Sequence, residues 1–265
     1  MPAASKPLRV LNKPLTVFIT GASSGLGAAL ARHYGQQGAT LGLCGRRAET
    51  LKQVAADLDA QCFIADVRDA PAMQAAATEF IQTAGVPDIV IGCAGISVGT
   101  LTEEAEDLAV FQAVMDANVM GLVHSFHPFI EPMKARGAGV LCGIASVAGV
   151  RGLPGGGAYS ASKAAARVYL EALRLELKSS GISVVTVSPG YIDTRMTQVN
   201  PYPMPFKLTA EAAAAEVARR IEKNIAESII PWQMAIVARA MNLMPNWLYD
   251  RLFEKAPRKP RGLPT

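Results

Sequence analysis

Short apolar runs alternate with longer segments of helical periodicity through most of this sequence. The apolar runs span 15–20, 40–45, 61–64, 88–91, 139–144 and 183–187, and the helical segments between them span 26–37, 49–58, 70–84, 108–136 and 158–179. This alternation is typical of βαβ units, whose parallel strands are buried on both faces. The pattern therefore predicts an α/β fold with six strands in a doubly wound parallel sheet flanked by helices. A closed eight-stranded barrel would need more repeats than the chain supplies.

The rhythm changes after residue 187. Segment 195–208 carries Pro201, Pro203 and Pro205, which deny it regular structure, so we expect a lid or binding loop there, called the lid below. A helix is predicted to follow from 209 to about 227.

A Met- and Trp-rich segment then predicts a C-terminal helical extension over 232–265, which ends in the basic residues Lys255, Arg258, Lys259 and Arg261. Two interpretations of the extension stay open. It packs on the domain or forms a subunit interface, or it is an interfacial helix whose basic tail makes peripheral contact with acidic lipid.

Composition narrows the class of protein. Half of the 265 residues are hydrophobic and 18% are charged, which excludes a disordered chain and a disulfide-stapled miniprotein. This length suits a single domain over 1–265 with one large core. The net charge of +4 is too small to argue for nucleic acid, and no nucleic-acid partner is predicted.

The four cysteines are Cys44, Cys62, Cys93 and Cys142, which lie far apart without C-x-x-C spacing. They are predicted to be reduced core residues, so a reducing compartment is expected. No stretch reaches the roughly 18 apolar residues that span a bilayer. These observations predict a cytoplasmic location, with membrane association through the extension as the alternative.

A glycine-rich motif, Thr20-Gly21-Ala22-Ser23-Ser24-Gly25-Leu26-Gly27, lies where the first strand ends and a helix begins. There, glycines permit a tight turn, and the helix N-terminus offers N–H groups to a pyrophosphate. The expected dinucleotide contacts are Gly21, Ser23, Ser24, Gly25, Leu26 and Gly27. The motif also fits the G-x-S-x-G nucleophile elbow of hydrolases, with Ser23 as nucleophile. That chemistry needs a histidine late in the sequence of the sheet. The histidines are His33, His124 and His127, and none of them lies near its end.

The end of the second strand indicates which dinucleotide binds. An acidic residue there would accept a hydrogen bond from the ribose of NAD, whereas arginine suits the 2′-phosphate of NADP. The chain has Arg46 and Arg47 at this position. NADP is therefore predicted over NAD on charge complementarity.

Tyr159 and Lys163 are four residues apart in a helical segment, so they share one helix face. A free tyrosine titrates near about 10 and needs a neighbouring cation to act near neutral pH. Lys163 is expected to provide that cation. Ser146 ends the fifth strand and is expected to face the same crevice.

Together these motifs resemble the short-chain dehydrogenase/reductase family over nearly the whole chain. The matching residues are Thr20-Gly21-x-x-x-Gly25-x-Gly27, Asp66, Asn118, Ser146, Tyr159-x-x-x-Lys163, Pro189-Gly190 and Thr194. The resemblance implies a Rossmann-type sheet, NAD(P)-dependent interconversion of alcohols and carbonyls, and a homodimer or homotetramer.

The resemblance also implies residue roles. Tyr159 would be the general acid in reduction, Lys163 would lower its pKa and bind the nicotinamide ribose, and Ser146 would hold the substrate oxygen. Asn118 would position a water in the proton relay. Asp66 would approach the adenine and Thr194 the carboxamide. The other implied cofactor contacts are Val67, Ala94, Gly95, Pro189, Gly190 and Ile192. The chain departs from the family's Asn-Asn-Ala-Gly with Gly92-Cys93-Ala94-Gly95, which puts the stabilisation of that loop in doubt.

Substrate choice is expected to depend on a mostly apolar set of side chains. These are Ile96, Ser97, Val98, residues 147–153, Tyr191, Met196, Tyr202, Met204 and Phe206. Such walls favour a bulky apolar ketone, aldehyde or alcohol as the small-molecule partner. The alternative is a non-catalytic dinucleotide-binding regulator with the same fold. No metal is predicted, because no Cys or carboxylate cluster accompanies His124 and His127.

Overall fold

The computed structural model describes residues 14–262, which form a seven-stranded, all-parallel sheet with helices on both faces. In chain order the elements are β1 (Thr16–Thr20), α1 (Gly25–Gly35), β2 (Thr40–Gly45), α2 (Ala48–Ala55), β3 (Ala60–Ile64), α3 (Ala70–Ala84), β4 (Ile89–Gly92), α4 (Asp107–Met115), α5 (Gly121–Arg136), β5 (Gly139–Ile144), α6 (Gly157–Glu176), β6 (Ile182–Pro189), α7 (Arg195–Gln198), α8 (Ala210–Glu222), β7 (Glu227–Ile230), α9 (Trp232–Leu243) and α10 (Asn246–Phe253). Residues 1–13 and 263–265 of the predicted domain and extension lie outside the described residues.

The strands lie in the order β3-β2-β1-β4-β5-β6-β7. This order confirms the predicted doubly wound, Rossmann-type α/β sheet. It reverses direction between β1 and β4, and ligands of such sheets bind outside the carboxyl ends of the strands at that point.

The sheet is buried on both faces, as its apolar strands require. In β1, Val17 and Ile19 point into one hydrophobic cluster with α1 and α8, and Phe18 points into the opposite cluster. The ring centroid of Phe18 is 4.9 Å from that of Phe129 and 5.3 Å from that of Phe80. Burying a large apolar side chain stabilises the fold by about 1.5–3 kcal/mol. This two-sided burial holds the strand ends in fixed positions.

The sequence pattern did not predict β7, and the prediction of a helix to residue 227 was wrong. α8 ends at Glu222, and Asn224 takes a left-handed backbone conformation with φ of 51°. The four residues of β7 then pair with β6, with Glu227 opposite Thr186. A four-residue edge strand carries too few alternating positions to show a period. It forms because the edge of β6 offers unpaired backbone groups.

The predicted helix over 108–136 is interrupted in the middle. α4 and α5 are joined by a π-helical turn, Asp116–Met120, which contains Asn118. Such turns are rare and occur often at functional sites.

The lid contains some regular structure, so the prediction of none was wrong for its first four residues. These form α7, where Thr194 and Thr197 cap each other reciprocally. The proline-containing remainder, 199–208, has no helix or strand.

The predicted extension consists of two helices, α9 and α10, which are separated at Pro245. Tyr249 attaches α10 to the domain, because its hydroxyl donates to the Gly152 carbonyl at 2.8 Å and its ring lies 4.1 Å from the Arg151 guanidinium. Within residues 14–262, none of the helices combines the length and the apolar character needed to cross a bilayer.

Candidate active site

A cleft at the carboxyl edge of the sheet contains every residue predicted for catalysis or cofactor binding except Asn118. Of the side chains expected to determine substrate choice, Ile96 and Met196 line this cleft and the others do not. The predicted residues that line it are Gly21, Ser23, Ser24, Gly25, Leu26, Gly27, Arg46, Arg47, Asp66, Val67, Ala94, Gly95, Ser146, Tyr159, Lys163, Pro189, Gly190, Ile192 and Thr194. Asn118 is buried and contacts Ile96, which lines the cleft.

Steric constraints explain the glycines of the loop between β1 and α1. Gly21 has φ of +70°, and a Cβ there would lie 2.7 Å from the Cα of Ala94. A Cβ on Gly27 would collide with the carbonyl oxygen of Gly21. Ser24 makes no side-chain cap to α1. The first N–H groups of a helix have no intrahelical partner, so this turn is suited to bind an anion.

Arginines surround a single carboxylate at the end of β2 and β3. Arg68 forms a fork with Asp66, with Nη2 2.6 Å from Oδ2 and Nε 3.1 Å from Oδ1. Arg46 lies 3.7 Å from the same carboxylate, and Arg47 donates to Ser24 Oγ at 3.2 Å. The hydrogen bond from Arg68 lowers the pKa of Asp66 against the effect of its burial. Three cations against one anion leave this end of the cleft positively charged.

Ser146, Tyr159 and Lys163 lie together in the centre of the cleft. Ser146 follows β5, and its Oγ accepts a hydrogen bond from the Ala148 N–H at 3.1 Å. Tyr159 and Lys163 lie one turn apart on α6, with Lys163 Nζ 5.9 Å from the centroid of the Tyr159 ring. Lys163 Nζ donates to the Ile144 carbonyl at 2.8 Å.

Burial dominates the ionisation of these groups. It raises the pKa of Tyr159, and a hydrogen bond with Ser146 lowers it. Burial also lowers the pKa of Lys163 to about 8. The phenol therefore keeps its proton at neutral pH, while Lys163 is mostly charged. The influence that lowers the Tyr159 pKa in this structure comes from Ser146, and the expected lowering by Lys163 stays a prediction.

Asn118 uses its amide to hold the loop that follows β4. Its Oδ1 accepts from the Ile96 N–H at 2.8 Å, and its Nδ2 donates to the Ile96 carbonyl at 2.9 Å. Nδ2 also donates to Ser162 Oγ on α6 at 2.9 Å. Asn118 thus connects the β4 loop to the helix that carries Tyr159 and Lys163. Its predicted contact with a water stays a prediction.

The departure at Cys93 leaves this loop intact. A Cβ on Gly95 would lie 2.9 Å from Asn118 Oδ1, so glycine makes room for the amide. Cys93 lines the cleft near Lys163, and burial raises the pKa of its thiol to about 12. The thiol is therefore neutral and packs as a small apolar side chain.

The cleft also contains residues that the sequence analysis did not place in it: Gly45, Ala65, Arg68, Cys93, Ala117, Ile144, Ala145 and Arg195. Cys93, Ile144 and Ala145 adjoin the ends of β4 and β5, and the strand ends themselves were the available signal. Arg68 is two residues beyond Asp66. A third arginine close to the predicted site of the NADP 2′-phosphate was the available signal for it.

The hydrogen bonds of the described residues do not support the hydrolase alternative. Ser23 Oγ is 3.5 Å from Arg47 Nη2, while His33 hydrogen-bonds Gln37 and His124 hydrogen-bonds the Val67 carbonyl. In the described part of the chain, no group of three or more His, Cys, Asp or Glu residues is arranged to hold a metal ion.

Comparisons with known proteins give one consistent result. A family model described as short chain dehydrogenase matches residues 15–202. An uncharacterized oxidoreductase of Myxococcus xanthus is 33% identical over 240 residues, which cover 89% of this chain and 94% of the relative. Dehydrogenase/reductase SDR family member 7B of Bos taurus is 36% identical over 202 residues, which cover 72% of this chain and 62% of the relative.

A solved structure is similar as well. A short chain dehydrogenase from Burkholderia cenocepacia, crystallised in complex with NADP, has a TM-score of 0.80 and 27% identity to this chain. The match covers 91% of this chain and 98% of that one.

Proposed function

This chain belongs to the short-chain dehydrogenase/reductase family, and we propose that it is an NADP(H)-preferring enzyme that interconverts a ketone or aldehyde and an alcohol. The observation that carries the proposal is the meeting of Ser146, Tyr159 and Lys163 with the glycine loop in one cleft. A proton donor beside a dinucleotide site is the minimum that carbonyl reduction requires.

The cleft fits a dinucleotide. The close approach of Gly21 to Ala94 and the uncapped first turn of α1 suit a pyrophosphate. Asp66 and Val67 would hold the adenine end, and Pro189, Gly190, Ile192 and Thr194 the nicotinamide end. When bound, NADPH would supply the hydride.

Tyr159 would supply the proton. Its buried phenol stays protonated at neutral pH and would donate to the carbonyl oxygen as that oxygen gains negative charge. Ser146, which hydrogen-bonds Tyr159, would hold the same oxygen. The Lys163 ammonium would stabilise the phenolate that remains. In the oxidative direction Tyr159 would accept the proton of the alcohol.

Asn118 would act through its neighbours. Both of its Nδ2 hydrogens and one acceptor position of Oδ1 are engaged by Ile96 and Ser162. The other lone pair of Oδ1 would hold the water of the proton relay.

The arginines at the end of β2 and β3 support the preference for NADP. Arg46, Arg47 and Arg68 line the cleft, and Asp66 is the one acidic residue among the described residues that line it. A 2′-phosphate would gain charge-assisted hydrogen bonds there. The NADP complex of the Burkholderia cenocepacia relative agrees with this assignment.

The proposed substrate is bulky and apolar. Ile96 and Met196 line the cleft, and the rings of Tyr191 and Tyr202 pack at 6.4 Å on the lid side. Apolar walls favour hydrophobic carbonyls, and an NADPH preference favours the reductive direction.

We also propose a cytoplasmic homodimer or homotetramer that uses the extension as an interface. The apolar side chains exposed on α9 and α10 are Trp232, Ile236, Leu243, Trp247 and Leu252, at 58–76% exposure. A lipid contact is the weaker alternative, because two of the four basic residues expected to meet lipid, Lys259 and Arg261, bind other parts of this chain. Co-sedimentation with anionic liposomes would favour it.

Tyr159→Phe tests the proposed function. The variant removes only the hydroxyl, so turnover should fall by at least about 1000-fold while the Kd of NADPH stays within about twofold. NADPH absorbance with a panel of apolar aldehydes and ketones measures the first, and NADPH fluorescence the second. Tyr169→Phe, on the same helix, is the control. Near-normal turnover by Tyr159→Phe would refute the role of Tyr159. If the wild type turned over no member of the panel, the alternative of a non-catalytic dinucleotide-binding regulator would be favoured.

A further inference from the structure

The last described residues, 256–262, run back from α10 to the loop that follows β4, and we call them the C-terminal tail. The Gly99 N–H donates to the Pro260 carbonyl at 2.9 Å, and Gly99 pairs with Arg261 in a parallel bridge. A Cβ on Gly99 would collide with the carbonyl of Lys259. The tail is therefore packed directly on the backbone of this loop.

Arg261 anchors the tail in an acidic site at the start of α4. Its Nε lies 2.7 Å from Asp107 Oδ2, and its other nitrogens lie 2.9 Å from Glu106 and 3.3 Å from Glu104. The Asp107 side chain is only 4% exposed, and its carboxylate also accepts from the Leu101 N–H at 2.8 Å. The anchor fixes the position of Lys259, two residues earlier.

Lys259 connects two segments that both border the cleft. Its Nζ donates to Ser97 Oγ at 3.0 Å and to the Met196 carbonyl at 2.8 Å. Met196 belongs to the lid and lines the cleft, and Ser97 follows Ile96, which also lines it. Among the described residues, no carboxylate pairs with Lys259. The ammonium group of Lys259 therefore donates to two neutral oxygens, one in the loop after β4 and one in the lid.

We propose that Lys259 is a positioning residue that fastens the lid to the loop after β4 and thereby sets the width of the substrate side of the cleft. The structural part needs only the contacts above, and the catalytic part rests on the proposed function. Ser146 follows β5, and Tyr159 and Lys163 lie on α6, whereas the hydrogen bonds of Lys259 go to Ser97 and Met196. Losing the contact should therefore loosen the lid without moving the proton donor.

Hydrogen exchange tests the structural part without any substrate. In Lys259→Met, which keeps the apolar stem, amides of 195–208 and 96–101 should exchange about tenfold faster, whereas α8 should not change. Ser97→Ala, which keeps the charge and the anchor, should show part of the same effect. Lys255→Met removes an exposed lysine from the same region and should match the wild type. Wild-type exchange of the lid in Lys259→Met would overturn the proposal.

Steady-state kinetics with benzaldehyde and decanal test the catalytic part. For Lys259→Met, KM should rise about tenfold, because an open lid must be ordered on binding, while kcat and the Kd of NADPH should stay within about twofold. A fall in kcat with unchanged KM would contradict a positioning role. If the wild type turns over no carbonyl yet Lys259→Met still speeds exchange of the lid, the fastening stands and the proposed function fails.

Discussion

The two sides of the cleft are built in different ways. The nucleotide side consists of the ends of β1, β2 and β4, where a Cβ at Gly21 would lie 2.7 Å from Ala94. The proposed substrate side consists of the lid and the loop after β4, which are joined by the side chain of Lys259 from the C-terminal tail. Closely packed backbone segments cannot move apart without a large free-energy cost, whereas a single side-chain contact can break and re-form. We therefore expect the proposed cofactor site to be rigid and the proposed substrate site to be adjustable.

Gly21→Ala should have the largest effect, because it attacks backbone packing. The left-handed φ costs about 1–2 kcal/mol for alanine. The contact with Ala94 adds about 1–3 kcal/mol of overpacking. The Kd of NADPH should rise roughly 100-fold, with a lower melting temperature, measured by fluorescence titration and thermal unfolding.

Gly38→Ala is the matched control. Gly38 has φ of +78° but nothing within 4 Å of an added Cβ. It should show only the backbone cost and unchanged NADPH affinity. If the two variants behave alike, close packing does not define the nucleotide side.

The same difference explains how much the sequence could predict. The strands and the glycine loop depend on local patterns, and residues predicted from them, such as Gly21 and Lys163, line one cleft. Lys259 contacts Ser97 and Arg261 contacts Asp107 across 162 and 154 residues, and no local pattern carries that information. Asn118, in the π-helical turn, likewise hydrogen-bonds a residue 22 positions away, Ile96.

Arg46→Asp probes charge on the rigid side, with a smaller effect. Losing a charge-assisted contact of about 1.5–3 kcal/mol should weaken NADPH binding by roughly 10- to 100-fold. NADH, which lacks the 2′-phosphate, should be affected far less. The measurement is the ratio of the two Kd values, with Arg251→Asp on the exposed face of α10 as control. An unchanged ratio would remove the charge argument for NADP.

Lys163 predicts a pH dependence of cofactor binding. Burial lowers its pKa to about 8, so the free protein loses this positive charge as the pH rises through that value. Anionic NADPH favours the charged form, and its affinity should therefore be greatest below pH 8. Between about pH 7 and 9 the affinity should fall by up to about tenfold.

Fluorescence titrations across this pH range measure the effect. Cys93 and Tyr159 face Lys163, and burial raises the pKa of both groups, so neither titrates in this interval. Lys163→Met should give a flat profile. The same slope in that variant would assign the titration to another group.

Lys207→Ala should have the smallest effect. It tests whether a surface ion pair, rather than Lys259, holds the lid. Lys207 Nζ lies 3.3 Å from Asp193 Oδ2, but the side chains are 39% and 45% exposed. Water screens such a pair, so it contributes at most about 1 kcal/mol and less at high salt. Hydrogen exchange of the lid should therefore change by less than about fivefold. If Lys207→Ala opened the lid as much as Lys259→Met, surface charge rather than the C-terminal tail would hold it, and the adjustable side of the cleft would lose its proposed fastening.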